Sequence, residues 1–478
     1  MRTVSKKKCI SRREFVGNLA ASMAAVTIVP AHVLGRNAPS NKLNIAAIGS
    51  GGRARANLKG VSSENIVALC DVDEEKAAGT FKAYPQAKKY KDFRIMLDEM
   101  EKSIDAVIVS TPDHTHAVAV MKAIKMGKHI YCEKPLAHSI YEVRQIMEAA
   151  RKYKVQTQLG NQGHSSEQIR MMCEWIWDGA IGDIRQVYAW SSRPSGGAAF
   201  AVNMKRPADR PPIPEGLDWD LWLGPAPYRP YHPAYLPFKW RGWVDFGTGA
   251  LGDMGCHILD PVFWALRLDE VETIEVEATT THFDPEIMRE TYPVASIVRY
   301  EFPARGPIPA YAGTSLPLQK QGSGLIQSRP SAWPPVKLTW SDGRLRPPRP
   351  DDMEIKRRFG GEGALLIGQN GNIMHGSHGA GELRIVPESK MKAYELPAKT
   401  LPRSQGHHQD WILACKGGKP ASSNFNYGGP LTEMVLLGVL AVCNQNRKLI
   451  WDVKNMRITN DEEANKYINP PYREGWTL

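Results

Sequence analysis

The sequence predicts an α/β protein: a doubly wound parallel sheet comes first, and an α+β region with an antiparallel or mixed sheet follows. Three observations carry this expectation. Between residues 42 and 162, short runs rich in Val, Ile and Ala alternate with helix-like stretches, as in a parallel sheet covered on both faces. A glycine-rich turn, Gly49 to Gly52, directly follows the first run. After residue 162 the alternation gives way to strand-like runs with fewer helices between them.

Taken in order, the buried strands are expected at 43–48, 66–70, 106–110, 129–132 and 155–159. Ser139 and Glu142 have capping-box spacing and open a helix over 139–153, with Ile140, Val143, Met147 and Ala150 on one face. Then come a helix over 166–178, a strand over 185–191 and a Pro/Trp-rich segment over 194–243. A helix over 249–266 leads to strands near 271–280, 295–302, 336–340, 364–367 and 384–387, and to helices near 408–416 and 431–444. The stretch 310–331 is rich in Pro, Gly, Ser and Gln and reads as a mobile loop insertion, with a lid or subunit contact as the sharper alternative.

The chain's 478 residues are enough for two or three domains, and its formal charge is +11. Residues 1–40 hold seven Lys/Arg and one acid, so they account for more than half of that excess. No later basic run interleaves with aromatics, so nucleic acid is excluded as a partner class. No run of 18 or more apolar residues predicts a stable membrane anchor. Lys6-Lys7-Lys8, then Ser11-Arg12-Arg13-Glu14-Phe15-Val16 and a diluted apolar run to Leu34, read as a twin-arginine signal over 1–38. That predicts a folded protein exported to the periplasm or cell envelope. Seven cysteines without paired spacing predict neither a disulfide framework nor a metal site.

Gly49-Ser50-Gly51-Gly52-Arg53-Ala54 fits the G-x-G-x-x-[GA] turn that brings a pyrophosphate onto a helix start. Asp71 ends the second strand, 22 residues after Gly49, where a carboxylate accepts both ribose hydroxyls and repels a 2′-phosphate. A Rossmann domain binding NAD follows. Asp73 is the competing acid, read as a turn residue. The fourth strand ends in Ser110-Thr111-Pro112, at the crevice edge, with Thr111 and Asp113 read as caps of the next helix. His114 and His116 lack a third ligand for a metal. The fifth strand ends in Glu133-Lys134-Pro135, and a lysine there can stabilise a developing alkoxide.

Together, the glycine loop, Thr111-Pro112 with His116, and Glu133-Lys134-Pro135 resemble the glucose–fructose oxidoreductase / inositol dehydrogenase / rhizopine-catabolism (Gfo/Idh/MocA) family. The resemblance runs from about residue 42 to the C-terminus. It implies an NAD-binding domain over 42–162 and a substrate and oligomerisation domain over 163–478, with a large, mostly antiparallel open sheet and a homodimer or homotetramer. It also implies cofactor contact by Lys134, and a second catalytic element at Asp253-Met254-Gly255-Cys256-His257. His257 would deprotonate an alcohol, Asp253 would orient it, and Lys134 would polarise the oxygen. Asp260 is read as a structural cap or pair.

Trp240, Trp243, Arg193 and Arg241, among Trp219, Trp222, His232 and Tyr235, read as a carbohydrate subsite, with His164 as a further substrate contact. Asn161 and Gln162 are placed on the nicotinamide side. The expected activity is hydride transfer to or from a sugar or glycoside hydroxyl carbon, with C3 a plausible position. The alternatives are redox-neutral glycoside hydrolysis through NAD and non-catalytic sugar binding. Scarcity of free NAD outside the cytoplasm adds the expectation of a held cofactor.

Overall fold

Strands β1 (Asn44–Ile48), β2 (Asn65–Cys70), β3 (Lys88–Tyr90), β4 (Ala106–Val109), β5 (His129–Cys132) and β6 (Thr157–Leu159) form one parallel sheet in the order β3-β2-β1-β4-β5-β6. The structure is a computed structural model that describes residues 41–194, 200–282, 284–306 and 332–478. The expected export signal and the 310–331 insertion lie outside those residues. Leu43–Leu478 forms one compact unit.

All four residues of β4 are buried, as a strand covered by helices on both faces requires. The helix Ile140–Tyr153 starts where the capping box predicts. Ser139 accepts from the Glu142 N–H, and the Glu142 carboxylate accepts from the Ser139 N–H at 2.8 Å. The helix Asp113–Lys125 corrects the expected caps, because Pro112 precedes it and no side chain caps it. Asp113 instead accepts from the Thr248 hydroxyl at 2.6 Å, tying the sheet edge to the following domain. Asp73 is a helix cap, accepting from the Lys76 N–H.

The second sheet has nine strands: β7 (Ile184–Trp190), β8 (Thr273–Thr280), β9 (Ser296–Phe302), β10 (Val336–Ser341), β11 (Gly363–Gly368), β12 (Gly371–His375), β13 (Arg384–Val386), β14 (Leu449–Asp452) and β15 (Arg457–Ile458). Their order is β13-β12-β11-β7-β10-β9-β8-β14-β15. The β7–β10 pair is parallel and the other pairs are antiparallel. In β9 the burial alternates along Ser296–Phe302, which fixes one face on the core.

The helix Phe425–Cys443 joins the two sheets. It packs on Ile140–Tyr153, on Gly249–Ile258 and on β8 and β9. It is long and apolar enough to cross a membrane, but 83% of its apolar window is buried within the fold. It starts six residues before the expected Leu431 and runs through Pro430, because tertiary burial on every side overrides the helix-breaking residue. Gly438 is required by contact: a Cβ there would lie 1.9 Å from the Tyr300 hydroxyl. The expected helix over 249–266 is two helices, Gly249–Ile258 and Asp260–Ala265, which meet at Leu259.

Candidate active site

The cleft is built at the C-terminal ends of the parallel strands. Gly49 follows β1 with φ +79°, and a Cβ there would sit 2.8 Å from the Ser110 backbone. Only glycine lets the β1 and β4 loops approach this closely. Asp71 follows β2, and one of its oxygens accepts from the Ser50 and Gly51 amides at 2.7 and 2.9 Å. Burial raises its pKa, and amide bonds from Asp73, Gly51 and Ser50 partly offset the rise. Among the described residues the Gly52 and Arg53 amides have no acceptor. The Thr111 Oγ1 is buried without a partner among the described residues. Free amides on a glycine turn and an orphaned hydroxyl at the next strand end fit a dinucleotide phosphate and its neighbouring groups.

Glu133 closes this edge. Its Oε1 accepts from Arg53 Nε at 3.1 Å, Asn57 Nδ2 at 2.9 Å and Gln162 Nε2 at 2.9 Å. Arg53, Asn57 and Gln162 thus converge on one carboxylate oxygen. His116 does something else. It is buried, and its two ring nitrogens meet the Pro135 and Thr111 carbonyls at 2.8 and 2.9 Å. It joins two crevice loops and leaves no ring nitrogen for a cofactor. The Asn161 amide is tied into the fold: Nδ2 donates to Asp260 at 3.0 Å, and Oδ1 accepts from Ser423 at 2.6 Å.

Lys134 leaves β5 and meets the helix Gly249–Ile258. Its ammonium lies 3.0 Å from Asp253 Oδ1 and also donates to the Asp253 carbonyl. Arg241 Nε reaches the same carboxylate oxygen at 3.1 Å, and Arg193 Nη1 pairs with Oδ2. Burial alone would raise the Asp253 pKa, but Lys134, Arg241 and Arg193 hold the carboxyl well below the usual range.

One turn later, roughly 6 Å along the helix axis, His257 is buried with Nδ1 lacking a hydrogen-bond partner among the described residues. Burial, then Lys134 and His378, push its pKa well down, so the imidazole is neutral. This corrects the expected pairing. Asp253 does not orient His257, because three cations occupy its oxygens. A buried histidine that a carboxylate does hold is His164, whose Nδ1 lies 2.9 Å from Asp260. Tyr427 donates to the same Asp260 oxygen at 2.5 Å. His164 is 1% exposed and stacks on Trp264, so it is part of the core rather than a substrate contact.

The tryptophans need the same correction. Trp243 is fully buried and donates to the Ala234 carbonyl. Trp219 stacks on Trp222 at 4.8 Å, and Tyr235 meets Trp243 edge-on. With Arg229 lodged among Tyr235, Trp243 and Phe246, they form a second small core with no face open to a sugar. His232 faces Asp209. Trp240 is 7% exposed and serves as a platform for the Arg241 guanidinium.

Two residues escaped the sequence reading. His378 places its ring 4.0 Å from that of His257, and Glu362 lies 3.9 Å from Arg193. Both come from the glycine-rich turns around β11 and β12. The sequence signal for the first is a histidine set between glycines in Gly376-Ser377-His378-Gly379. A separate cavity of about 420 Å³, lined by residues such as Glu142, Leu440 and Tyr472, contains none of Lys134, Asp253 and His257.

Residues 43–161 match the family described as "Oxidoreductase family, NAD-binding Rossmann fold", and 197–296 match its "C-terminal alpha/beta domain". The chain is 22% identical over 257 residues to glucose-6-phosphate 3-dehydrogenase of Bacillus subtilis, covering 52% of this chain and 62% of that one. It is 30% identical over 93 residues to inositol 2-dehydrogenase of Salmonella typhimurium, covering 19% of this chain and 27% of that one. These matches span less than two thirds of either relative. A solved NAD-binding protein from Listeria innocua shares the fold, with a TM-score of 0.53 at 14% identity, over 85% of this chain and 96% of that one. With the parallel sheet and its glycine turn, these matches identify residues 43–161 as an NAD-binding Rossmann domain like that of the Gfo/Idh/MocA oxidoreductase family, and residues 197–296 as similar to that family's C-terminal domain.

Proposed function

We propose that this protein is an NAD-dependent oxidoreductase that moves hydride to or from a hydroxyl carbon of a sugar or glycoside. The observation that carries the proposal is the Lys134–Asp253 bridge one helical turn from a neutral His257 whose Nδ1 has no hydrogen-bond partner among the described residues. When bound, NAD supplies the hydride acceptor or donor. Lys134 then presents a fixed ammonium to the substrate oxygen, where negative charge develops. His257 is uncharged at neutral pH and has an unused ring nitrogen, so it can take the hydroxyl proton. Asp253 fixes Lys134, while His378 covers the His257 ring.

The two relatives are, by name, dehydrogenases of a sugar phosphate and of inositol, which supports a sugar-like alcohol as substrate. The name of the first supports oxidation at C3. The proposal includes export by the twin-arginine route, carried by Arg12-Arg13 in the sequence, a cofactor retained after export and a homo-oligomer.

The test is to mix the purified chain and NAD with a panel of glycosides and follow the absorbance of reduced nicotinamide. The proposal expects reduction with wild type and none with Lys134→Met. Release of aglycone without net reduction replaces it with the redox-neutral hydrolase. Cell fractionation that leaves the chain in the cytoplasm removes the export component.

A further inference from the structure

The charge in the cleft does not balance. Lys134, Arg193 and Arg241 converge on the single carboxylate of Asp253. One cation would neutralise it, and Lys134 already does. Glu362 stands 3.9 Å from Arg193 and offsets one more. Arg53 is matched by Glu133. Burial keeps the His257 and His378 imidazoles neutral, so they contribute nothing. One positive charge remains, and an oxidised nicotinamide would add another. The internal residues outside the described set, 195–199, 283 and 307–331, include no Asp or Glu, so none of them supplies the missing carboxylate.

Surplus cations in a partly desolvated cleft are costly unless a ligand answers them. The two arginines are also shaped for one. The Arg241 guanidinium lies 3.7 Å from the Phe238 ring centroid and 4.2 Å from that of Trp240, which fixes its plane. Its Nε is used on Asp253, and among the described residues its Nη2 makes no hydrogen bond. Arg193 spends Nη1 on Asp253 and likewise leaves Nη2 free among the described residues. Their side chains are 20% and 34% exposed, so both are open to a ligand. Planar donor forks of this kind match the oxygens of a carboxylate, phosphate or sulfate.

We propose that the substrate carries one anionic substituent, a carboxylate or a phosphate or sulfate ester, held by Arg193 and Arg241. This rests on reading the site as an alcohol-oxidising centre.

The test is calorimetry on the full chain loaded with NADH. The ligands are a methyl glucoside, the matching methyl glucuronide, glucose 6-phosphate and glucose 6-sulfate, each at low and high salt. At least one anion should bind about tenfold or more tightly than the neutral glucoside, and salt should narrow the gap. The three anions separate a carboxylate from a phosphate from a sulfate. Arg193→Gln and Arg241→Gln should each shrink the preference. Equal or tighter binding of the neutral glucoside overturns the inference, as does failure of all three anions to bind. It is also overturned if the preference persists unchanged in the double variant, with wild-type folding verified by thermal melting. An anion preference in calorimetry, with no reduction of NAD by the same anions in an absorbance assay, removes the dehydrogenase reading and keeps the anion site. Hydride transfer without an anion preference does the reverse.

Discussion

The Lys134 ammonium stands 3.0 Å from Asp253 Oδ1, and this contact joins the nucleotide-binding sheet to the domain that follows it. The pair is almost dry, with side chains 12% and 6% exposed. Removing one member of such a pair strands the other charge away from water. Asp253→Asn should therefore destabilise the fold by about 3–5 kcal/mol and abolish hydride transfer. The pH dependence has a definite sign. The folded carboxyl titrates below its unfolded value, so its stabilisation is complete above about pH 4 and is lost on further acidification. Denaturant melts of wild type and variant across that range check this. A variant as stable as wild type at neutral pH contradicts it.

Buried histidines set a second pH window. Burial pushes His407 down to about 3 and His114 likewise to about 3. An unfolded histidine gains a proton near pH 6.5 while these stay neutral. Each therefore stabilises fully above that pH and loses about 1.4 kcal/mol per pH unit below it, down to its folded value. His407→Gln should flatten the stability–pH slope between about pH 6 and 4 by that amount. An unchanged slope contradicts the burial argument.

Gly49→Ala tests the cofactor turn. Its φ of +79° and the 2.8 Å approach to Ser110 leave no place for a methyl group. Backbone strain of about 1–3 kcal/mol translates to NADH binding weakened roughly tenfold to a hundredfold. Asp71→Ser should narrow the preference for NADH over NADPH by about tenfold or more, because the carboxylate that repels a 2′-phosphate is gone. Fluorescence titration with both nucleotides reads each effect, and unchanged affinities sink the placement.

Trp243 separates packing from sugar recognition. Trp243→Ala should cost about 3–5 kcal/mol of stability, because it empties the centre of the second core. Trp243→Phe, which keeps most of that volume, should leave the substrate KM unchanged. A selective rise in KM in the folded Phe variant would restore the sugar-stacking reading.

The sequence made the first sheet legible because its strands are continuous apolar runs and its loops carry their chemistry in adjacent residues. Gly49, Asp71 and Lys134 were all recognisable at strand ends. β3, with its two lysines at an edge, and β12, begun by Gly371, lacked that signal. The pairing of side chains across the fold was the least legible part. Spacing at i and i+4 placed Asp253 and His257 on one helix face. It could not reveal that Arg193 and Arg241, distant in sequence, would take the carboxylate. Nor could it show that Asp260, seven residues after Asp253, would hold His164 instead. A Trp-rich loop reads the same whether its rings meet a ligand or one another, and here Trp219 meets Trp222 while Trp243 meets Tyr235.

The most direct measurement of the central claim is single-turnover mixing of the NAD-loaded protein with a sugar substrate, followed by the absorbance of reduced nicotinamide. Wild type should show a burst equal to the bound cofactor. Lys134→Met and His257→Asn should each retain NAD and lose the burst by roughly a hundredfold or more in rate. A full burst in both variants, or no burst in wild type with any sugar or polyol, contradicts the account.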